Sequence, residues 1–394
     1  MKLAILTCGM LPIPAVGGGA VENLIDFYLD YNDTHKLHDI IVYSPWNEKV
    51  ANHPALASDV NHYIFIDVTS IKARIARKLR SFFHSNEYYN YFIEYYFEKV
   101  YADLKKRNID YIILENCDGY AYKLSQRGYK YLILHTHNER RKSRSMYDSI
   151  IYNSITKILT VSDFIKEKFS ALYPIEKIET IHNGIDLKNF SRKDFSPISR
   201  QQIGFTDDDF VIVYSGRVTK EKGVSELIDA MLLLKDMSNI KLMIIGSSFF
   251  GNTNQEDVFI CSLKDKVKSI KNRIVFTGFI PYEKMPDYLQ ISDIAVIPSI
   301  WNDPFPTTEL EAQAMGLPIV TTRRGGIPEE VSEKNAILLV TDEHLVENLA
   351  SAILDLYNNP NKRGEMAVES LRRSKLFTKE NFAANFFAAV EGLH

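Results

Sequence analysis

The sequence predicts an α/β protein made of two doubly wound domains, each with a parallel sheet. Short runs of β-branched and apolar residues alternate with longer amphipathic segments, which is the pattern of repeated βαβ units. The pattern is interrupted at residues 181–200 by the polar segment IHNGIDLKNFSRKDFSPISR, and it then begins again. The 394 residues suffice for two domains of roughly 100–200 residues each.

The first half contains five continuous apolar runs that predict strands covered on both faces. They lie at residues 2–7, 39–44, 111–116, 131–137 and 157–162. Helical periodicity between them predicts helices that include residues 21–31 and 88–106. The second half contains six strand candidates: FVIVYSG, IKLMIIG, RIVFTGF, DIAVIPS, LPIVTT and AILLV.

The turn signal Asn183-Gly184 and the polar segment after it place the domain boundary between residues 185 and 186. The first domain then covers residues 1–185 and the second covers residues 186–376. The last stretch, residues 377–394, carries Phe382, Phe386 and Phe387 on a predicted helix. It follows a completed second domain, so we expect it to pack back on the first domain.

Composition excludes several classes of protein. A hydrophobic content of 45% with 25% charged residues is typical of globular domains, and a net charge of −3 gives no basic field for nucleic acid. Cys8, Cys117 and Cys261 lie far apart, which favours reduced thiols and a cytoplasmic protein. The apolar start, MKLAILTCGMLPIP, is interpreted as a first strand rather than a signal peptide. No metal-ligand spacing and no apolar run of about 18 residues occurs, so we expect neither a metal site nor a membrane span.

The segment YSGRVTKEKG follows the first strand of the second domain. Ligands bind outside the carboxyl ends of strands in open α/β sheets, and Gly216 allows a close approach to the backbone there. Arg217 and Lys222 are two cations around this turn, and they would suit a diphosphate group. We expect Lys220 to be a solvated surface charge.

The segment DPFPTTELEAQAMGLPIV predicts a loop, a helix and a short strand. Backbone N–H groups at the helix N-terminus offer a second anion site. Glu309 and Glu311 point in different directions on a helix, so one of them is expected to cap the helix or face solvent. Asp303 and Glu311 lie on either side of the loop–helix corner. Their carboxylates are candidates to accept hydrogen bonds from vicinal hydroxyl groups.

Two features of the first domain are candidates for a binding role. Gly17–Gly19 follow the first strand and suit either an anion or acceptor site or a plain flexible loop. His135 and His137 point the same way at the end of a strand. A single histidine there is usually structural, but two histidines followed by Arg140 favour a function.

The segment IKARIARKLRSF, residues 71–82, is basic and contains no acidic residue. Apolar residues recur at helical spacing at Ile71, Ile75, Leu79 and Phe82. Such a helix suits an anionic membrane surface. A packed helix with a basic outer face is the alternative.

Taken together, five stretches resemble the GT-B glycosyltransferases, specifically the retaining enzymes of glycosyltransferase family 4. They are GGGAVE, HNGID, GRVTKEKG, SDIAVIPS and DPFPTTELEAQAMGLPIVTTRRGGIPE, and the resemblance covers essentially the whole chain. It implies a GT-B architecture, in which two Rossmann-like domains face a central cleft. The family has two glutamates separated by seven residues; Glu311 matches the second, and Asp303 replaces the first.

The resemblance also implies roles for individual residues. Glu311 would bind the ribose, Asp303 the transferred sugar, and Arg217 and Lys222 the diphosphate. His137, or else His135, would be the active-site histidine of the first domain, and His137 is preferred. The other implied donor-binding residues are Gly18, Gly19, Gly246, Phe305, Pro306, Thr307 and Thr308. The implied acceptor-side residues are Gly17, Glu22 and Arg140.

The implied activity is metal-independent transfer of a sugar from a nucleotide-diphosphate sugar, with UDP as the default nucleotide, and with retention of configuration. The expected acceptor is a hydroxyl of a glycan or lipid-linked molecule in bacterial surface polysaccharide or glycoconjugate synthesis. The protein would need no cofactor and would act in the cytoplasm or at the inner face of the membrane. Alternatives are an epimerase or phosphorylase of the same architecture, or a non-catalytic sugar-nucleotide-binding subunit.

Overall fold

The computed structural model describes residues 1–81, 91–139, 147–171, 173–248 and 258–393. The chain forms two compact units. The first unit contains Met1–His182 and Phe382–His394, and the second contains Asn183–Asn381.

The first unit is built on a seven-stranded parallel sheet. Its strands are β1 (Lys2–Leu6), β2 (Asp39–Pro45), β3 (Asn61–Ile66), β4 (Tyr111–Glu115), β5 (Leu132–Thr136), β6 (Ile155–Thr160) and β7 (Ile178–Thr180). The order β3-β2-β1-β4-β5-β6-β7 reverses direction between β1 and β4. The carboxyl ends of β1, β4 and β5 therefore lie side by side at the switch point of a doubly wound sheet.

Helices flank this sheet, and the central strands are buried on both faces. The helices are α1 (Ala20–His35), α2 (Ile71–Ser81), α3 (Tyr91–Leu104), α4 (Gly119–Ser125), α5 (Asp148–Asn153) and α6 (Asp163–Ser170). Every residue of β4 and β5 is buried. Polar side chains at the ends of these strands therefore need partners inside the protein, because burying an unpaired polar group is costly.

The second unit is built on a six-stranded parallel sheet of order β10-β9-β8-β11-β12-β13. Its strands are β8 (Phe210–Ser215), β9 (Ile240–Ile245), β10 (Ile274–Gly278), β11 (Ile294–Ile297), β12 (Ile319–Thr322) and β13 (Ala336–Leu339). Its helices are α7 (Val224–Leu233), α8 (Val258–Lys266), α9 (Met285–Gln290), α10 (Thr307–Ala314), α11 (Ile327–Glu330), α12 (Leu345–Asn358) and α13 (Pro360–Ser374). The loops after β8 and β11 lead to the candidate ligand-binding residues.

The predicted α/β fold class is confirmed, as are all eleven predicted strands. The sequence pattern missed β3 and β7. β3 is a mostly half-buried edge strand whose apolar run, YIFI at residues 63–66, is short, and β7 has only three residues. The predicted helix at 21–31 is the middle of α1. Residues 91–106 of the other predicted helix include α3, and residues 88–90 lie outside the described part of the chain.

The final helix, α14 (Lys379–Glu391), carries the three predicted phenylalanines, and all three are buried. Phe386 stacks on Tyr28 with ring centroids 4.2 Å apart. The segment that belongs to the first unit begins at Phe382 rather than at residue 377. The reason is that Phe377 packs on Phe305, 5.7 Å away, and Lys379 pairs with Asp186 at 2.8 Å, all within the second unit.

Across the described residues, none of the helices combines the length and apolar character that a bilayer crossing requires.

Candidate active site

The loop after β8 depends on two glycines in the second unit. Gly216 has φ +136° and Gly246 has φ +137°. A Cβ atom at Gly246 would lie 1.9 Å from the carbonyl oxygen of Gly216, so no larger residue fits there. A Cβ atom at Gly216 would lie 3.8 Å from Thr308. The loop that carries Arg217 and Lys222 is therefore held against the start of α10.

Lys222 and Asp303 form a nearly buried ion pair. They are 81 residues apart in sequence, and their side chains are 15% and 6% exposed. Trp301 Nε1 also donates to the Asp303 carboxylate, at 3.3 Å, and the Lys222 ammonium lies 5.6 Å from the centre of the Trp301 ring. The fold thus joins the predicted diphosphate cation to the predicted sugar carboxylate. We call Lys222, Trp301, Asp303, Glu309 and Glu311 the α10 cluster.

The other two cations of this loop are more accessible. Arg217 is 41% exposed and lies 3.8 Å from Glu221. Lys220 is exposed, as predicted. Lys222 is therefore the cation of this loop that the protein holds in a fixed position.

The N-terminus of α10 is suited to an anion. Pro306 occupies the N-cap position and makes no side-chain hydrogen bond to the helix, while Thr307 and Thr308 are half-buried. The first backbone N–H groups of a helix have no partner within the helix and can donate to a ligand. Phe305 and Pro306 are themselves buried, and the Phe305 carbonyl accepts a hydrogen bond from Asn183 Nδ2 at 2.8 Å. These two residues fix the loop that enters α10.

Glu309 and Glu311 are both buried, so the expectation that one of them faces solvent is wrong, whereas the Glu309 carboxylate does accept a backbone N–H hydrogen bond in the first turn of α10, as capping requires. They are 0% and 6% exposed, and every residue from Glu309 to Ala314 is buried. Glu309 accepts from the hydroxyl groups of Thr308 at 2.9 Å and Thr321 at 3.3 Å. Burial, with the nearby Asp303 charge, raises the pKa of Glu309 to about 8.

Glu311 is the predicted ribose ligand. Burial raises the pKa of its carboxyl to about 8, and a hydrogen bond from Thr307 opposes this rise. The carboxyl also lies near Tyr282, whose pKa rises through burial and the Glu311 charge. A buried carboxyl at a helix start is well placed to accept hydroxyl groups of a ligand.

Glu330, at the end of α11, was not predicted. It is 0% exposed, and neither carboxylate oxygen has a hydrogen-bond partner among the described residues. Burial raises the pKa of this carboxyl well above its usual value, and the charges of Glu309 and Asp303 raise it further. In sequence it stands beside Glu329 as one of two ordinary acidic residues, so no local signal marks it.

The glycine loop of the first unit leads into α1. Gly18 and Gly19 have φ +76° and +111°, which favours glycine, whereas Gly17 has no such constraint. A Cβ atom at Gly19 would lie 2.1 Å from Glu22 Oε2, so the Glu22 side chain folds over this loop. Burial, together with the Glu115 charge, raises the pKa of Glu22 to about 7.

His135 and His137 point the same way, as predicted, and both contact Glu115. Glu115 ends β4 directly opposite His135 on β5. Its carboxylate oxygen Oε2 lies 3.0 Å from His135 Nδ1 and 3.1 Å from His137 Nε2, and Oε1 accepts from the Tyr28 hydroxyl at 2.9 Å. We call these four residues the histidine cluster. Sequence reasoning missed Glu115, although an acidic residue that ends an apolar strand is a usable signal.

Three members of the histidine cluster could in principle ligate a metal. Glu115, His135 and His137 offer ligand atoms that lie within 4.8 Å of one another, although the sequence predicted no metal site. Metal-bound histidines usually donate their second ring nitrogen to a partner. His135 Nε2 and His137 Nδ1 are buried and have no such partner among the described residues. The geometry therefore fits a hydrogen-bonded cluster better.

A polar cavity of about 220 Å³ opens at the ends of β4 and β5. Its polar lining residues are Asn116, Asp118, Thr136, Asn138, Glu139 and Tyr152. Side chains alternate along a strand, so Thr136 faces away from His135 and His137. Arg140, predicted on the acceptor side, lies outside the described residues.

Two family models match the chain. The model described as glycosyl transferases group 1 matches residues 195–372, and the model described as glycosyltransferase family 4 matches residues 35–189. The chain belongs to the group 1 glycosyltransferases of the family 4 type. The predicted recognition is thereby confirmed.

Two relatives are similar to this glycosyltransferase over all or most of its length. Spore coat protein SA of Bacillus subtilis is 26% identical and aligns over 99% of both chains. The lipopolysaccharide 1,2-N-acetylglucosaminetransferase of Salmonella typhimurium is 25% identical over 65% of both chains.

Solved structures share the fold of this glycosyltransferase. A glycosyltransferase from Rickettsia africae has a TM-score of 0.77 at 17% identity and covers 100% of this chain, with 98% of its own chain matched. HepE of Anabaena, in complex with UDP, has a TM-score of 0.75 at 20% identity with full coverage of both chains. The GT-B architecture with two Rossmann-like domains is thus confirmed. The protein is an enzyme that transfers a glycosyl group from a nucleotide sugar.

Proposed function

We propose that this enzyme transfers a sugar from a UDP-sugar to a hydroxyl of a glycan or lipid-linked acceptor, with retained configuration, in surface polysaccharide or glycoconjugate synthesis. The observation that carries the proposal is the α10 cluster. It places a fixed cation, a carboxylate and a buried glutamic acid around the open N-terminus of a helix.

Each part of the donor has a chemical counterpart in this cluster. Lys222, the accessible Arg217 and the α10 N–H groups suit the diphosphate, Glu311 the ribose, and Asp303 the sugar. As the sugar–phosphate bond breaks, negative charge grows on the diphosphate, and the cations and helix end stabilise it without a metal. The acceptor oxygen forms the new bond to the anomeric carbon, and its proton passes to the departing phosphate.

The relatives support the choice of UDP and of the pathway class. HepE of Anabaena has been crystallised with UDP-glucose as well as with UDP, and the Salmonella relative is named for transfer of N-acetylglucosamine in lipopolysaccharide. The polar cavity beside β5 offers carboxylates, amides and hydroxyls of the kind that bind sugar hydroxyls.

We expect UDP, but not GDP or ADP, to raise the melting temperature of the protein without added metal. A ligand at about a hundred times its Kd stabilises the folded state by about 2.7 kcal/mol, which thermal-shift fluorimetry detects readily. The panel is repeated with the matching nucleotide sugars and with EDTA, and the anomeric configuration of the product is read by NMR. A shift confined to GDP or ADP, loss of the shift in EDTA, or an inverted product would contradict the corresponding part of the proposal.

We further propose that α2 places the enzyme on an anionic membrane surface. Ile71, Ile75 and Leu79 are 74%, 56% and 58% exposed, so the alternative of a helix with its apolar residues packed inside is wrong for these three positions. Phe82, the fourth predicted position, lies outside the described residues. An exposed apolar row among cations suits insertion between acidic lipid headgroups.

We expect the protein to co-sediment with phosphatidylglycerol vesicles at low salt and far less with phosphatidylcholine vesicles. Replacing both Ile75 and Leu79 by serine should reduce binding, because it removes most of the exposed apolar row. The matched control is Val368→Ser on α13, an exposed apolar residue of the second unit. Equal sedimentation of the double variant and this control would remove α2 from the proposal.

A further inference from the structure

We propose that Glu115 is a positioning residue for His137, and that it fixes both the orientation of that ring and the tautomers of His137 and His135. The proposal deepens the proposed function, because it rests on His137 as the histidine that meets the substrate. Its structural half concerns only the histidine cluster and can be tested without any substrate.

The proton positions follow from the chemistry of the carboxylate. The two histidines hold the pKa of Glu115 down at about 2, although burial acts in the opposite direction. An ionised carboxylate can only accept hydrogen bonds. The ring nitrogens that face it, His135 Nδ1 and His137 Nε2, must therefore carry protons. Burial lowers the pKa of His137 to about 4, so its ring is neutral and its Nδ1 keeps a lone pair.

The side chains of Glu115 and of the two histidines are almost completely buried. The side chain of Glu115 is 1% exposed, and those of His135 and His137 are 0% and 6% exposed. The His135 ring centroid lies 5.4 Å from that of Phe386 on α14, and Phe386 also stacks on Tyr28. Among the described residues, Glu115 is the partner that His135 Nδ1 and His137 Nε2 share.

The consequence concerns the nitrogen on the far side of each ring. His135 Nε2 and His137 Nδ1 have no partner among the described residues, and His137 Nδ1 is a lone-pair acceptor. His137 follows β5, at the edge where ligands bind to a doubly wound sheet. Its Nδ1 keeps a lone pair but is buried, so a substrate hydroxyl would reach it only after the covering residues move; Glu115 determines that this nitrogen, and not Nε2, would be the acceptor.

The test uses two variants that separate the length of the Glu115 side chain from its negative charge. Glu115→Asp keeps the charge but withdraws the carboxylate by one methylene, so we expect lost ring contacts and kcat lowered by roughly 10- to 100-fold, as for other residues that orient a histidine. Glu115→Gln keeps the reach. Its oxygen can still accept from both rings while its amide donates to the Tyr28 hydroxyl, so we expect higher activity than in the aspartate variant. Tyr131→Phe, at an exposed tyrosine just before β5, is the control and should stay close to wild type.

Ring tautomers are read directly from 15N NMR of histidine-labelled protein, and donor affinity is measured separately. We expect the Nδ1–H form of His135 in the wild type and in Glu115→Gln, its loss in Glu115→Asp, and unchanged donor affinity in all three. Unchanged tautomers in the aspartate variant would overturn the positioning role. Altered tautomers with unchanged kcat would instead overturn the role of His137 in the reaction. Stoichiometric zinc binding that shifts these ring signals would overturn the hydrogen-bonded cluster itself.

Discussion

Replacing Lys222 by methionine is expected to weaken binding of UDP by about 10- to 100-fold, since a hydrogen bond to a charged group contributes about 1.5–3 kcal/mol. We expect kcat to fall as well, by roughly 10²–10³-fold, because the lost cation faces charge that grows as the bond to the leaving diphosphate breaks. The ammonium is nearly buried beside Asp303 and Trp301, so solvent screens it little.

The same loop supplies the control. Lys220→Met removes an equal charge from an exposed position two residues away and should leave both UDP affinity and kcat near wild type. Uridine, which lacks the diphosphate, should bind Lys222→Met and wild type equally. Lys222 has no specific role at the diphosphate if Lys222→Met weakens the binding of uridine as much as the binding of UDP. The same conclusion follows if Lys220→Met lowers UDP affinity and kcat as much as Lys222→Met does.

Loss of Lys222 also leaves Asp303 buried without its ion-pair partner, which is destabilising. The melting temperature of each variant is therefore measured first. Kinetic comparisons are made at a temperature at which all of them are folded. A lower melting temperature alone would not lower the ratio of UDP affinity to uridine affinity. The role of Lys222 at the diphosphate is therefore judged from that ratio.

The sequence predicts those parts of the fold that depend on local pattern. Apolar runs predict every strand that is buried on both faces and also the edge strands β10 and β13, whereas the short run of the edge strand β3 was missed. Motif spacing identifies Lys222 and Asp303 separately. Their pairing across 81 residues is a property of the sheet order, which brings the loops after β8 and β11 together.

Burial of polar side chains is the part that local pattern does not reveal. Helical periodicity assumes that a helix has an exposed face, and α10 has almost none, so the expectation that one of Glu309 and Glu311 faces solvent failed. The role of Glu115 can be recognised only in the folded protein, where β4 pairs with β5 and places Glu115 opposite His135. Glu330 likewise looks ordinary until the second unit folds around it.

Replacing Glu330 by methionine is expected to stabilise the second unit by about 1–3 kcal/mol at about pH 5, which is the usual cost of a buried polar group without a partner, and by more at higher pH. Methionine has a similar length and no polar atom that needs a hydrogen bond. The gain arises because the wild-type carboxyl is 0% exposed and its two oxygens are unpaired among the described residues.

The gain should depend on pH in a defined direction. In the unfolded chain this carboxyl ionises around its ordinary pKa of 4.5, whereas in the folded protein burial and the Glu309 charge hold its pKa well above that value. Below pH 4.5 the group is protonated in both states and contributes no pH dependence. Above it, the unfolded state releases the proton first, so wild-type stability falls relative to Glu330→Met as pH rises toward the folded-state pKa.

Urea midpoints of wild type and Glu330→Met, measured at several values between about pH 5 and about pH 8, test this linkage. We expect the two curves to separate as pH increases. Glu365→Met is the control, since it removes an exposed acid of α13 in the same unit, and it should track wild type. A constant difference across this range would mean that Glu330 is already ionised in the folded protein, and that a compensating cation such as Lys222 offsets its burial. A lower midpoint for Glu330→Met would show that the carboxyl makes a favourable contact, and Glu330 would then join the α10 cluster as a ligand-binding candidate.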